Sequence, residues 1–444
     1  MRGLRTFILL LVVLIGLGSY VYFVESKRDP SAGDKKDKVF SVQADKIDEI
    51  TVKSESGEQT TLKKSGSDWQ IAAPVAAQPD SAEVSGLTSN LSTLEISRVI
   101  EDNPGDLAEF GLSPPRIEVA FKSGSEERRL QIGKKTPPGT DLYAKLADQK
   151  RVFLIPSFVE ATFNKKTFDL RDKTVLKLER DKIDRLTVAT AARTLEFAKE
   201  NGEWRMTAPL KARADFTSVD GLVSRLHTLQ MKSLVAPEAA NLTEYGLDKP
   251  AVTIRLGSGS SLATLLVGKE SGDGVNFAKD QSRPAVFSIE KSVAEDASKE
   301  PSEYRQKDLF DARAFNSTRI DVTRGGATVA FEKVKTKNKD GQDQEQWKQV
   351  APAAKDVDQT KVDNLIAAVT GARATGFVDA AAKTGLDAPE LSIAVKFDEG
   401  KRDEKVAFAR TGSDGFAART GEPGAAKVDI AAIENIVKSL DALK

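Results

Sequence analysis

The sequence predicts an α+β protein: an N-terminal transmembrane helix followed by three tandem strand-rich repeats, each an antiparallel sheet with one principal helix. Three observations predict it. Residues 7–24 form an apolar run without a charge. The three tryptophans of the 444-residue chain, Trp69, Trp204 and Trp347, recur in one pattern. Within each recurrence the apolar/polar alternation of strands is interrupted once by an apolar stripe of helical period.

Phe7 to Val24 read FILLLVVLIGLGSYVYFV, 18 uncharged residues, enough to span or nearly span a hydrocarbon core of roughly 30 Å. Gly16 and Gly18 could serve a signal-peptide cleavage site. The bulky run Tyr20 to Val24 follows at once and fits the aromatic end of an uncleaved anchor better. Lys27, Arg28, Lys35, Lys36 and Lys38 outnumber Arg2 and Arg5, which argues against a cytoplasmic N-terminus. Asp29, Asp34 and Asp37 dilute that cluster, and long C-terminal domains translocate largely regardless of charge. The expectation is an anchor at 1–24 and a flexible tether at 25–38, with the bulk of the chain outside the cytoplasm.

The repeats keep step through many landmarks. WQIAAP, WRMTAP and WKQVAP place Pro74, Pro209 and Pro352 five residues after each Trp, and Asp80, Asp215 and Asp358 six residues after each Pro. FGLSPP, YGLDKP and TGLDAP follow, carrying Gly111, Gly246 and Gly385. Then come LYAK, NFAK and GFAAR, and a closing apolar strand at Val152, Val286 and Val428. The repeats are expected at 39–173, 174–310 and 311–444. The third diverges most, with a polar insertion from Lys335 and Thr384 in place of an aromatic residue.

Each element has a local reason. DEITVKSE alternates as a half-buried strand does. TTLKKSGSDWQIAAP reads as a hairpin with the Trp early on its returning strand, ended by proline. Val84, Leu87, Leu91 and Leu94 form a one-sided helical stripe. So do Val219, Leu222, Leu226 and Leu229, and more weakly Val362, Leu365, Val369 and Ala372. The preceding Asp is placed to cap each helix, with Glu83 expected to complete a capping box in the first copy. GL-x-x-P reads as a helical turn ended by glycine. Four antiparallel strands then close the unit.

Composition excludes more than it identifies. Lys and Arg total 66 and Asp and Glu total 66, so the formal net charge is zero and no nucleic-acid partner is expected. Without cysteine there is no disulfide, thiolate metal site or thiol nucleophile. His227 is the sole histidine and is read at the solvent edge of the second helix. No phosphate-binding loop occurs. Gly133 and Gly268 are read at strand ends, and Gly257 in a turn. The acidic sets Asp340, Asp343, Glu345 and Asp356, Asp358, Asp363 lack the calcium-loop pattern and are read as a solvated loop and a helix cap. No catalytic residue, metal site or cofactor is expected.

Trp69 to Pro74, Phe110 to Pro115, Leu130 to Gly133 and Tyr143 to Lys145, with their equivalents in the second copy, resemble the bacterial domain of unknown function 4340 family. The anchor followed by DKVFSVQADKIDEITV is similar to that family too. The resemblance covers residues 1–310 well and 311–444 more loosely. It implies a single-pass protein of the bacterial inner membrane, periplasmic in bulk and associated with ABC-type export systems of the kind linked to gliding motility. The family offers no established catalytic residues. The expected function is therefore a non-enzymatic scaffold or accessory subunit, with the membrane (through residues 7–24) and ABC-type permease and ATPase subunits as partners. The alternatives are a glycan-binding module using exposed tryptophans and, more remotely, a carboxylate-based hydrolase.

Overall fold

The computed structural model describes residues 37–272, 274–337, 342–378 and 382–444. The expected anchor, residues 25–36 of the expected tether and Asp340 lie outside these residues. Among the described residues no helix is long and apolar enough to cross a membrane. The chain folds as two compact units that divide between Lys173 and Thr174. The first contains one antiparallel sheet and the second contains two.

In the first sheet the strands lie in the order Asp68–Ala73, Gln59–Ser65, Glu49–Lys53, Ile117–Ser123, Glu126–Lys135, Asp141–Leu146, Val152–Pro156, Arg98–Glu101. Every pairing is antiparallel. The chain runs outward by hairpins to one edge and must then reach the other. It does so across one face, through helix α1 (Ser81–Thr93). Seven gaps at about 4.8 Å make the sheet roughly 34 Å wide. The helix covers about 20 Å of that at 1.5 Å per residue, and residues 74–80 and 94–97 supply the rest. The crossing explains the single helical stripe per sheet: one face needs one cover. Ile50 and Val52 point inward to meet Val84, Leu87 and Leu91 in one core, each buried side chain contributing about 1.5–3 kcal/mol. A charge at Leu91, which is fully buried, would break that contact.

The chain is already part of the fold at the residues read as the end of the tether. The Ile96 N–H donates to the Asp37 carbonyl at 2.8 Å, and Lys38 Nζ donates to the Ser92 carbonyl at 3.0 Å.

The second and third sheets repeat this order and add a short edge strand each, Ala212–Arg213 and Lys355–Asp356. Helices α2 (Phe216–His227) and α3 (Gln359–Thr370) make the equivalent crossings. The third sheet departs from one principal helix per repeat. Its closing strand ends at Val428, and Asp429, read as part of that strand, instead caps α4 (Ile430–Asp441). Ile433, Ile436 and Leu440 of α4 join the core beside α3. After the closing strand the second sheet has only the short helix Lys291–Ala297 at this place. The polar insertion of the third repeat is not a loop throughout. Lys335, Thr336 and Lys337 pair with Glu345, Gln344 and Asp343, so it lengthens a hairpin.

Candidate functional site

The three capping aspartates do what their position allows. Asp80 accepts from the N–H groups of Ala82 and Glu83 at 2.8 and 3.2 Å. Asp215 accepts from Ser218 N–H at 2.8 Å, and Asp358 from Thr360 and Lys361 N–H at 3.0 and 3.2 Å. The capping box expected at Glu83 does not form. Asp80 N–H is taken by the Leu170 carbonyl at 2.9 Å, and Glu83 pairs with Lys165 at 2.9 Å instead.

Trp69, Trp204 and Trp347 sit on the strands that end at Ala73, Ala208 and Ala351, and the following peptide to Pro74, Pro209 and Pro352 is cis in all three. Trp204 and Trp347 are buried. Their indole N–H groups donate to Asp220 (3.4 Å) and Asp363 (3.2 Å), and Lys199 and Lys333 lie over the rings. Trp69 is half-buried, and Ser85 stands sixteen residues on, where the other copies have the aspartate.

The glycine turn is built by close approach. The single turns Ala108–Phe110 and Thr243–Tyr245 end at Gly111 and Gly246, both with φ near +67°. They press onto Gly133 and Gly268. These lie inside strands Glu126–Lys135 and Ser261–Gly272 rather than at strand ends as read. A Cβ at either would overlap the carbonyl oxygen of Phe110 or Tyr245, so only glycine admits the backbone this close. The aromatic residue of each turn then meets Tyr143 or Phe277 at 5.1 Å. In the third sheet Gly385 keeps φ at +73°, but Ala409 occupies the position of Gly268 and Thr384 that of Tyr245. The bond from Ala388 N–H to the Gly385 carbonyl at 3.2 Å comes after the glycine, and residues 382–384 form no helical turn before it. The methyl group of Ala409 accounts for this, because it fills the space the carbonyl would need.

The densest cluster of charged groups was not read from the sequence. It lies in the second unit, where edge-strand residue Arg213 of the second sheet reaches the third. Arg213, nearly fully buried, pairs with Asp311 and Glu422 at 2.5 Å each and donates to the Asp308 carbonyl at 2.8 Å. Arg419 pairs with Glu404 at 2.5 Å and Asp311 at 3.1 Å. Glu404, also buried, accepts from the N–H groups of Asp311 and Ala312 at 3.0 and 2.8 Å. Burial works against the Arg213 cation, yet Glu422 and Asp311 together raise its pKa. Burial likewise opposes the Asp311 anion, but Arg213 and Arg419 outweigh it and lower that pKa. Arg305 differs. Burial lowers its pKa, and Glu422 offsets this only in part.

The remaining expected residues do not assemble. His227 ends α2 half-buried beside exposed Thr228, and its Nδ1 is shielded without a hydrogen-bond partner. Asp343 and Glu345 lie on a strand, Asp356 pairs with Lys348, and Asp363 holds Trp347. Among the described residues no group of three or more His, Asp or Glu could hold a metal. The carboxylates that the fold does gather, Asp311, Glu404 and Glu422, each face arginine rather than one another.

A family model described as a domain of unknown function (DUF4340) matches residues 69–203 and 204–389. Each match begins at a repeat tryptophan. No curated protein matches. Two crystal structures from Pseudomonas aeruginosa, of the DNA polymerase sliding clamp and the DNA polymerase III subunit beta, align over 88% of this chain and 93% of theirs. They do so at 8% and 9% identity, with TM-scores of 0.17 and 0.18. Similarity at that level carries no argument about this chain.

Proposed function

The chain belongs to the domain of unknown function 4340 family, and from that membership we propose that it is a non-enzymatic, membrane-anchored envelope protein serving as a scaffold or accessory subunit of an ABC-type transport complex. One observation carries the scaffold reading. The polar and special-conformation residues common to the three sheets are spent on architecture: aspartates cap helices, glycines admit close turns, prolines follow strands. The anchor rests on the uncharged run 7–24, and the transport association rests on the family resemblance. Purification of the full-length chain from solubilised membranes tests the proposal. A permease and an ATPase subunit are expected to accompany it stoichiometrically and to be lost when residues 1–24 are removed. Recovery of the chain without either subunit would sink the transport role.

A glycan-binding reading now has a narrower basis. Trp204 and Trp347 are buried and tied to Asp220 and Asp363, which leaves the half-buried Trp69 as its only tryptophan. Quenching of Trp69 fluorescence by envelope glycan would favour that reading.

A further inference from the structure

In two of the three repeats a later stretch of the chain is laid along the segment that precedes the principal helix. In the first, Asp80 N–H donates to the Leu170 carbonyl and Asp172 N–H to the Gln78 carbonyl, each at 2.9 Å. In the second, Asp215 N–H donates to the Tyr304 carbonyl at 2.7 Å and Gln306 N–H to the Arg213 carbonyl at 3.0 Å. Each is one antiparallel step, with Arg171 opposite Pro79 and Arg305 opposite Ala214. Pro79 and Ala214 are buried there. The two fillers read Leu170-Arg171-Asp172 and Tyr304-Arg305-Gln306. One order, apolar then arginine then polar, thus fits the same slot twice.

The third repeat has the slot and no such filler. Asp356, Val357 and Asp358 follow Trp347 at the spacing at which Arg213, Ala214 and Asp215 follow Trp204. The Gln359 side chain bonds the N–H and carbonyl of Trp347 at 2.6 and 2.9 Å, so those groups face the edge segment and the ones on Lys348 face the other way. Asp356 stands opposite Lys348, and strand alternation turns its N–H and carbonyl outward. Among the described residues no backbone group meets that carbonyl or the Asp358 N–H. Near the C-terminus, the Leu443 carbonyl accepts from Lys355 Nζ at 3.5 Å, a contact that uses neither group. Val357 is half-buried, Asp358 is exposed, and the Asp356 side chain is 89% exposed. An open strand edge is a template for an added strand.

We infer that residues 356–358 take an extended segment of a partner protein by antiparallel strand addition, a segment that carries the apolar–arginine–polar order of the two internal fillers. This names a docking edge for the scaffold proposed above and rests on that reading only for the partner being a protein.

The test uses the full-length chain in detergent and a labelled peptide with the sequence of residues 166–173, KTFDLRDK, followed by fluorescence anisotropy. Half-saturation is expected below about 1 mM. Methylating the peptide nitrogen at the place of Asp172, whose N–H the Asp356 carbonyl would accept, should weaken binding by about tenfold. Methylating the nitrogen at the place of Arg171, which faces away from the edge, should cost less than about threefold. The chain has no cysteine, so Asp356→Cys, at an exposed side chain that the fold does not need, locates the site. Residues directly opposite in a hydrogen-bonded pair lie about 5.5 Å apart, within disulfide reach. In a glutathione buffer a peptide with Cys at the place of Asp172 should cross-link to that variant, and one with Cys at the place of Arg171 should not. Absence of saturable binding, equal effects of the two methylations, or equal cross-linking of the two cysteine peptides overturns the inference. Self-association of the chain that the peptide reverses assigns the edge to a second copy and overturns it too. The titration needs neither permease nor ATPase, so failure here is visible apart from failure of the transport role.

Discussion

The chain enters the second and third sheets by the same backbone route and holds it with an arginine and an acid whose positions are exchanged. Val175 N–H bonds the Leu229 carbonyl at 3.0 Å, and Leu309 N–H bonds the Ala372 carbonyl at 3.2 Å. In the second sheet Arg283 donates to the carbonyls of Thr174 and Val175 and is paired with Asp280. In the third sheet the positions of Asp280 and Arg283 are taken by Arg419 and Glu422, and Arg419 donates to the Leu309 carbonyl at 2.9 Å. Reversing that pair leaves the carbonyls served by an arginine in both cases. It also turns a local pair into a cluster, because Arg213 from the second sheet and Glu404 from a neighbouring strand now complete it. A repeat can thus keep its hydrogen bonds while changing what it is fastened to.

Glu404→Ala is the strongest way to break this comparison. It leaves the N–H groups of Asp311 and Ala312 without their buried acceptor and takes the shortest ion pair from Arg419, and loss of one partner of a buried pair costs about 3–5 kcal/mol. Asp280→Ala in the second sheet should cost less, about 1–2 kcal/mol, since Arg283 keeps its carbonyl acceptors and the other donors released, the N–H and Oγ of exposed Ser282, can turn to water. Equal losses in urea unfolding would refute the distinction between cluster and local pair.

The glycine turn offers the next largest contrast. Gly268→Ala forces a methyl group onto the Tyr245 carbonyl and should cost about 1–3 kcal/mol. Ala409→Gly in the third sheet should change stability by less than about 1 kcal/mol. A tolerated Gly268→Ala would show that the close approach is not what maintains the turn. At the helix caps the sheets should not differ: Asp215→Ala and Asp358→Ala are each expected to cost about 1 kcal/mol, and a twofold disparity in thermal unfolding would mean that one cap has a second role.

Acid gives the most specific effect. The Asp311 pKa is lowered in the folded chain, so its contribution is present above its unfolded value near 3.9 and is lost as pH falls through the lower folded value. The stability difference between the native chain and Asp311→Asn should therefore shrink progressively over the acid window that opens as pH falls below about 3.9. A difference constant over that window would show that the charge on Asp311 is not what matters.

The helix caps, the hairpin turn at Ser65 to Asp68 and the stripes of α1, α2 and α3 were legible because they depend on groups a few residues apart. Helix α4 was legible in principle, with Asp429 before Ile433, Ile436 and Leu440. Matching the copies to one another hid it, since the second copy has only a seven-residue helix there. The capping box at Glu83 was misread because Lys165, 82 residues away, competes for that carboxylate.

The strand, turn and helix positions follow from local chemistry: alternation, an aspartate within reach of free N–H groups, a glycine at positive φ. Those forces act over a few residues and are written in them. The closeness of Gly133 to Phe110, the half-exposure of Trp69 beside two buried counterparts and the gathering of Arg213, Arg305, Asp311, Glu404 and Glu422 were decided only when distant segments packed. Burial sets the strength of an ion pair, and no residue carries its burial in its name.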